Sequence, residues 1–331
     1  MALLRRRARI GGGMLTQPHA PSGISKGERH PPLRGELRYG ESMSEHTSWR
    51  VGGPADRFYV PADVDDLVAF IRRLPRAEQV FWVGLGSNVL VREGGIRGTV
   101  IRTAGVFDKL EITRGNTLWA GCGVACAKAA RFAARAGYRG GEFLAGVPGT
   151  LGGALAMNAG AYGGQTWDLV RSVETVDREG VRRTRERQEF VPGYRHLGGL
   201  QDDEWFLGAE LALEPDPERR GMQRIKSLMM RRAAAQPIHQ RSCGSVFSNP
   251  PGDYAARLIE ASGLKGLSVG EARVSEKHAN FIVNLGKATA TDIEALIEKI
   301  QATVESAQAV RLAPEVKIVG EPTRSACSED A

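Results

Sequence analysis

Two spacings of apolar residues alternate along the chain and divide it into helices and strands. Val64, Leu67, Val68 and Ile71 recur at the i, i+3, i+4, i+7 positions behind Ala62-Asp63, which predicts a helix. Ile293, Leu296, Ile297 and Ile300 predict another over 292–304, opened by a capping box from Thr289 to Asp292. Met222, Ile225, Leu228 and Met229 predict a third from about 217 to 234, and shorter helices are expected over 124–136 and 254–261. Runs of β-formers predict strands at 57–60, 80–83, 89–92, 98–102, 205–213, 280–285 and 315–319. Turn residues mark hairpins at 110–120, around Arg-Gly-Asn, and at 173–181. Residues 32–45 read as an amphipathic lead-in, and no internal repeat is present. The expectation is an α+β protein.

One stretch breaks both spacings. Residues 141–164 hold eight glycines in 24 positions, with apolar residues rather than Ser, Lys or Glu between them. That mixture describes buried backbone passing close to something large and flat, not a flexible linker. Pro148 stiffens the turn into Gly149-Thr150, whose amides and hydroxyl suit an anion. Gly84-Leu85-Gly86-Ser87-Asn88 forms a second such loop between two strand runs. It lacks the third glycine and the following helix of a Rossmann turn, so it presents amides, Ser87 and Asn88 to a diphosphate without a helix dipole. Gly121-Cys122-Gly123 precedes a helix and is the rival Rossmann turn, but its Ala-rich helix reads as close packing.

Composition narrows the class. Length suggests two or three domains, and no run of 18 apolar residues is present to span a membrane. The net charge of +7 is concentrated in residues 1–41, which hold eight Lys/Arg against three Asp/Glu. The remainder is near neutral, so the charge does not mark a nucleic-acid binder. The tail 1–31 reads as disordered, or as upstream of a later start at Met14 or Met43, and its apolar segment is too short for a secretory signal. Cys122, Cys126, Cys243 and Cys327 form no C-x-x-C pair, which fits a reducing cytoplasm and supports no metal.

Four separate motifs, in order, resemble the UDP-N-acetylenolpyruvoylglucosamine reductase family. They are His46-Thr-Ser-Trp-Arg50-Val-Gly-Gly-Pro-Ala55, Gly84 to Asn88, Gly146-Val-Pro-Gly149-Thr-Leu-Gly-Gly153 and Asn158-Ala-Gly-Ala-Tyr-Gly163. The resemblance runs from about residue 45 to residue 320. It implies an FAD-binding fold of the vanillyl-alcohol-oxidase type, with two α/β subdomains (32–104 and 105–235) sandwiching a non-covalent FAD. A C-terminal α+β substrate domain (236–320) then covers the substrate, and tails of 1–31 and 321–331 flank the whole. Pro237 marks the start of that last domain. The implied activity is reduction of a UDP-sugar enol ether by NADPH through the flavin, for peptidoglycan synthesis, in a cytoplasmic protein for which a monomer is favoured. The rival readings are another FAD-linked oxidoreductase of the same fold, such as a hydroxy-acid or alcohol oxidase, and a nucleic-acid binder using the arginine tail.

The resemblance also assigns residues. Arg50, Gly84, Leu85, Gly86, Ser87, Asn88, Gly146, Pro148, Gly149, Thr150, Gly152, Gly153 and Asn158 fall at cofactor positions. Gly244-Ser245-Val-Phe-Ser-Asn249-Pro matches the family's serine motif, with Ser245 as proton donor. Tyr194-Arg195 matches its Tyr-Arg segment, and Ala313-Pro-Glu315-Val its terminal glutamate. Ser245, Arg195 and Glu315 are thus the catalytic set, and Tyr194, Asn249 and Lys265 the substrate contacts. No Gly-x-Ser-x-Gly elbow surrounds Ser245, so an acylating serine is not supported. A glutamate in an apolar strand needs a partner, and pairing with Arg195 is expected to keep it charged. Two departures are evident: Ser248 stands where the family usually has lysine, and the chain between Tyr194 and Ser245 is too short for one subtype's tyrosine loop. The shorter subtype is therefore expected, with its substrate-clamping tyrosine unassigned.

Overall fold

The computed structural model describes residues 32–323. The predicted basic tail at 1–31, the last residues of the C-terminal tail, and Cys327 lie outside that range.

The first sheet grows from a segment with no clean alternation. Residues 32–45 contain a true strand, β1 (Glu36–Ser42), antiparallel to β2 (Pro54–Val60). Its sequence alternates poorly because neither face is deeply covered, which is why it read only as a lead-in. Asp63 caps α1 (Val64–Ile71) by accepting the Asp66 amide at 2.9 Å. The predicted stripe then packs inward, Leu67 and Ile71 buried and Val64 and Val68 on the core's margin. Next come β3 (Val80–Val83), β4 (Val89–Val91) and β5 (Ile96–Arg102). The sheet order is β1-β2-β5-β3, with β5 parallel to both β2 and β3. β4 is not in it. It pairs in parallel with the last strand, Lys317–Val319, which the spacing of apolar residues could not reveal.

β6 (Leu110–Thr113) and β7 (Thr117–Gly121) form the predicted hairpin at one edge of a five-stranded antiparallel sheet. Beyond β7 the sheet continues through Glu204–Ala212, Val170–Asp177 and Arg182–Glu186. α2 (Cys126–Arg135) buries Ala129, Ala130, Ala133 and Ala134, an alanine face that admits close approach. Within the glycine-rich stretch lies a short helix, α3 (Leu151–Ala156), where a loop was expected. Leu151 and Leu155 are fully buried and supply its apolar face. α4 (Gly221–Ala235) then leads to Pro237.

The C-terminal region holds α5 (Ala255–Ala261), a three-stranded sheet of Ser268–Val269, Ala272–Val274 and Ile282–Asn284, and α6 (Ala290–Gln308). The predicted Thr289–Asp292 capping box is present at α6. Trp49 fastens the 46–55 segment to this region. It is fully buried, its indole N–H donates to the Ile282 carbonyl at 2.8 Å, and its own carbonyl accepts from Asn284 Nδ2 at 2.8 Å. Among the described residues no helix is long and apolar enough to cross a membrane.

Asn280 holds the serine segment in place. Its Oδ1 accepts the Phe247 amide at 2.9 Å, its Nδ2 donates to the Phe247 carbonyl at 2.8 Å, and its own carbonyl accepts from the Val246 amide at 2.9 Å. Asn280→Ala leaves two backbone groups of buried Phe247 without their partners, at about 1–3 kcal/mol each. Urea unfolding of that variant should therefore show a loss of about 2 kcal/mol or more. A loss below half a kcal/mol would mean that this clamp is dispensable.

Candidate functional site

The two glycine loops meet each other. The Cβ that Gly84 lacks would overlap Thr150 Oγ1, and one on Gly149 would stand 3.0 Å from Ser87 Oγ. Glycine at these positions therefore lets the β3–β4 loop and the start of α3 touch. Gly86 has φ +59° and sits against the His46 carbonyl, while its own carbonyl accepts the Ser48 amide at 3.0 Å. The amides of Leu151 and Gly152 donate to the Val124 and Cys122 carbonyls at 2.8 and 2.9 Å, fixing α3 against the turn before α2.

Between these loops and the C-terminal region opens a cavity of about 460 Å³, within the range of small-molecule sites. Thirteen of the anticipated residues line it: Gly84, Leu85, Gly86, Ser87, Asn88, Gly146, Pro148, Gly149, Thr150, Gly153, Arg195, Ser245 and Glu315. Six do not. Arg50 is exposed and donates to the Glu45 carbonyl at 3.0 Å. Gly152 faces the α2 turn, where a Cβ would lie 2.9 Å from that of Cys122. Lys265 pairs with Glu260 at 2.7 Å. Asn249 accepts the Ala255 amide at 3.0 Å and caps α5, and its own amide donates to the Tyr194 hydroxyl at 3.3 Å. Tyr194 itself is largely exposed.

Asn158 is the sharpest difference between expectation and geometry. It is buried at φ +43°, and its side chain is committed within the protein. Nδ2 donates to Gln165 Oε1 and the Gly193 carbonyl, both at 2.9 Å, and Oδ1 accepts the Trp167 amide at 3.1 Å. With those bonds made it shapes the 158–168 loop and anchors the turn that carries Arg195.

Ser245, Arg195 and Glu315, scattered in sequence, converge through backbone pairing. The Glu315 amide donates to the Val246 carbonyl at 2.7 Å, and the Ser248 amide to the Ala313 carbonyl at 2.9 Å. Arg195, in the left-handed region at φ +54°, donates from Nε to Glu315 Oε1 at 2.8 Å and from Nη2 to the Gly160 carbonyl at 3.4 Å. The Ser245 hydroxyl is half-buried on the cavity wall with no hydrogen-bond partner among the described residues.

The expected pairing of Glu315 with Arg195 is present, and it works against burial. Burial raises the Glu315 pKa, and the opposing pull of Arg195 does not cancel it. Burial, with the Glu315 carboxylate adding to it, pushes the thiol of Cys243 on the cavity wall well above its usual range, which disfavours the reactive thiolate.

Sequence reasoning did not single out Trp82, Met157, Arg232, Gln236, Phe281 or Lys317, which also line the cavity. Tyr162 was visible only as part of the Asn158–Gly163 motif. Its ring lies over Gly146, where a Cβ would meet Cε2 at 2.6 Å, and its hydroxyl donates to the Leu228 carbonyl at 3.1 Å. The bare edge at Gly153, where a Cβ would meet nothing within 4 Å, suits a large planar ligand. Three cations (Arg195, Arg232, Lys317) against one carboxylate suit an anionic one. A flavin dinucleotide has both properties. Among the described residues no group of three His, Cys, Asp or Glu side chains is placed to hold a metal.

Comparison with known proteins agrees with this geometry. The profile of the UDP-N-acetylenolpyruvoylglucosamine reductase C-terminal domain matches residues 236–319, and that of an FAD binding domain matches 55–185. The reductase of Alkalilimnicola ehrlichii is 59% identical over 287 residues, covering 87% of this chain and 96% of that one. The reductase of Methylococcus capsulatus is 58% identical, over 88% of this chain and 95% of that one. The crystal structure of the enzyme from Thermus caldophilus superposes with a TM-score of 0.74 at 33% identity, over 86% of this chain and 99% of that one. With this identity and coverage, the chain belongs to the UDP-N-acetylenolpyruvoylglucosamine reductase family.

Proposed function

We propose that this protein reduces UDP-N-acetylenolpyruvoylglucosamine to UDP-N-acetylmuramate at the expense of NADPH, through non-covalent FAD, for peptidoglycan synthesis. The observation that carries the reading is the convergence of a hydroxyl, a guanidinium and a carboxyl on a cavity floored by bare glycine backbone. Bound FAD would supply hydride transfer to one carbon of the enol ether. The remaining tasks fall to the chain. Residues 32–235 hold the cofactor and 236–320 the substrate, in one polypeptide acting as a monomer in the cytoplasm.

Gly84 to Asn88 and Gly149 to Gly153 bind the dinucleotide, their amides and Ser87 facing its diphosphate. Arg195 faces the negative charge that develops on the substrate's carboxylate side when hydride is added. Its Nε is held by Glu315 and its Nη2 by the Gly160 carbonyl, so the guanidinium is oriented before substrate arrives. Ser245 delivers a proton to the substrate carbon next to that carboxylate. Glu315 positions Arg195 through their 2.8 Å ion pair. Tyr194 stands beside the segment, its ring 5.2 Å below the Arg195 guanidinium and its hydroxyl on the Asn249 amide. In this reading Tyr194, Asn249 and Lys265 are the contacts for the nucleotide-sugar. An oxidase of the same cofactor fold has no need for this proton donor. Steady-state turnover with oxygen as the acceptor would separate the two activities.

The glycines give a paired prediction. Gly153→Val places its side chain in the cavity, so it should fold with unchanged melting temperature and purify colourless. Gly152→Val drives into Cys122 and should lower the melting temperature whatever its flavin content. Full flavin in purified Gly153→Val would remove this residue from the cofactor site.

Ser245 acts only when substrate is protonated. Stopped-flow absorbance should show Ser245→Ala taking up hydride from NADPH at the wild-type rate, then passing it to substrate about 10²–10⁴-fold more slowly. Equal slowing of both halves would indicate a displaced cofactor instead, and unchanged transfer to substrate would end this assignment.

Glu315 sets a pH dependence of stability. Its native pKa is raised above the unfolded value by burial, so the native state binds its proton more tightly than the unfolded state does. The protonated carboxyl is favourable below the unfolded value of about 4.5, and that contribution is lost as pH rises through the higher native pKa. Wild type should therefore lose stability relative to Glu315→Gln as pH rises from about 4.5 upward. Parallel stability curves for the two proteins across that window would contradict the raised pKa.

A further inference from the structure

The cavity holds a cation that its own residues do not balance. Of its charged lining, Glu315 is taken by Arg195 at 2.8 Å. Arg232, in the last turn of α4, is half-buried, and its Nε donates to the neutral amide oxygen of Gln236 at 2.9 Å. No carboxylate among the described residues pairs with it. Arg185 has Glu204 and Arg224 has Glu142 and Asp216, while buried Arg178 is met by two backbone carbonyls, those of Pro75 and Glu78; Arg232 has only the one neutral amide oxygen. Burial pushes the Arg232 pKa down, and the Tyr162 hydroxyl is the one group acting against that. The carbonyl end of α4 offsets part of the charge, roughly half a unit spread over its last turn. An unpaired, half-buried guanidinium remains costly, so it is retained where something anionic arrives to meet it.

We propose that Arg232 is the counter-charge for an anionic group of the bound flavin dinucleotide and thereby sets the cofactor's affinity or its potential. This rests on the cofactor reading given above. Two groups of that ligand carry the required charge. The diphosphate is anionic at all times. The ring gains one negative charge when hydride arrives, because two electrons come with only one proton and the nicotinamide departs as a cation. Placement favours the ring. Lys317 stands at the diphosphate side, its amide donating to the Asn88 carbonyl at 3.0 Å. Arg232 instead stands with Tyr162, on the wall whose Gly160 carbonyl receives Arg195. Arg232 is thus a positioning residue for charge, and its effect reads out without turnover.

The test uses full-length apoprotein reloaded with FAD, comparing wild type with Arg232→Met, Arg232→Lys and Arg231→Met. Arg231 is an exposed neighbour whose guanidinium lies 5.7 Å from the Tyr162 ring centre, outside the cavity lining. Fluorescence titration gives the affinity for oxidised FAD, and equilibration with a redox dye gives the two-electron midpoint potential. Arg232→Met should bind oxidised FAD within about threefold of wild type, yet lose at least tenfold more affinity for the reduced form than for the oxidised one, a potential lower by about 30 mV or more. Arg232→Lys should regain at least half of that shift, and Arg231→Met should match wild type. A loss of about 30-fold or more in oxidised FAD affinity at unchanged potential would keep the counter-charge and locate the anion at the diphosphate. Should Arg232→Met not fold, Arg232→Gln carries the same comparison. Unchanged affinity and potential in a folded Arg232 variant overturns the proposal, as does an effect confined to substrate or NADPH KM. Failure of wild-type apoprotein to take up FAD would instead reject the reading beneath it.

Discussion

The hydrogen bond from the Glu315 amide to the Val246 carbonyl is the contact on which the site depends. It zips residues 246–248 to 313–316, and that pairing sets a serine and a glutamate, distant in sequence, on adjacent extended segments. Asn280 supports the serine segment from the other side, so its backbone is satisfied on both edges. Glu315 then fixes Arg195, whose turn is held by Asn158 through the Gly193 carbonyl. Three residues of the proposed chemistry are thus placed by main-chain pairing and two buried asparagines, with no flexible arm among them. Such a site is ordered before any ligand enters, which is the condition under which electrostatic stabilisation costs no reorganisation.

Burial dominates the electrostatics of this arrangement. A guanidinium 2.8 Å away would ordinarily hold a carboxyl low, yet Glu315 is raised because its desolvation outweighs that attraction. The same low-dielectric wall leaves Arg232 with a lowered pKa and Cys243 with a raised one. The charge inside the cavity is therefore sparse and expensive, and each ionised group there needs a partner supplied either by the fold or by a ligand.

Much of this was legible in the chain. Helices with a clean 3.6-residue stripe or a capping box, such as α1 and α6, were visible because local spacing alone determines them. The glycine loops were visible because Gly-rich, apolar backbone has few other uses. What stayed hidden depends on pairing between distant segments. β4 joins Lys317–Val319 rather than its sequence neighbours, and β1 has no strong alternation because its surroundings bury little of it. Arg232 and Lys317 carry no motif and enter the cavity only because α4 and the last strand end beside it. Asn158 was legible as special but not as structural, since a conformation at φ +43° and a ligand contact leave the same letter in the sequence.

The glycines separate into two physical classes that a sequence cannot tell apart. Gly84, Gly86 and Gly152 make room for protein: Thr150, the His46 carbonyl and Cys122 occupy the space of their missing side chains. Gly153 makes room for nothing in the polypeptide, although its neighbour is packed tight on the same short helix. A position where L-residues suffer no backbone strain and no clash, yet glycine is used, implies that something outside the chain fills that space. That empty edge, rather than the glycine count, is the feature that distinguishes a ligand-bearing loop from a well-packed one.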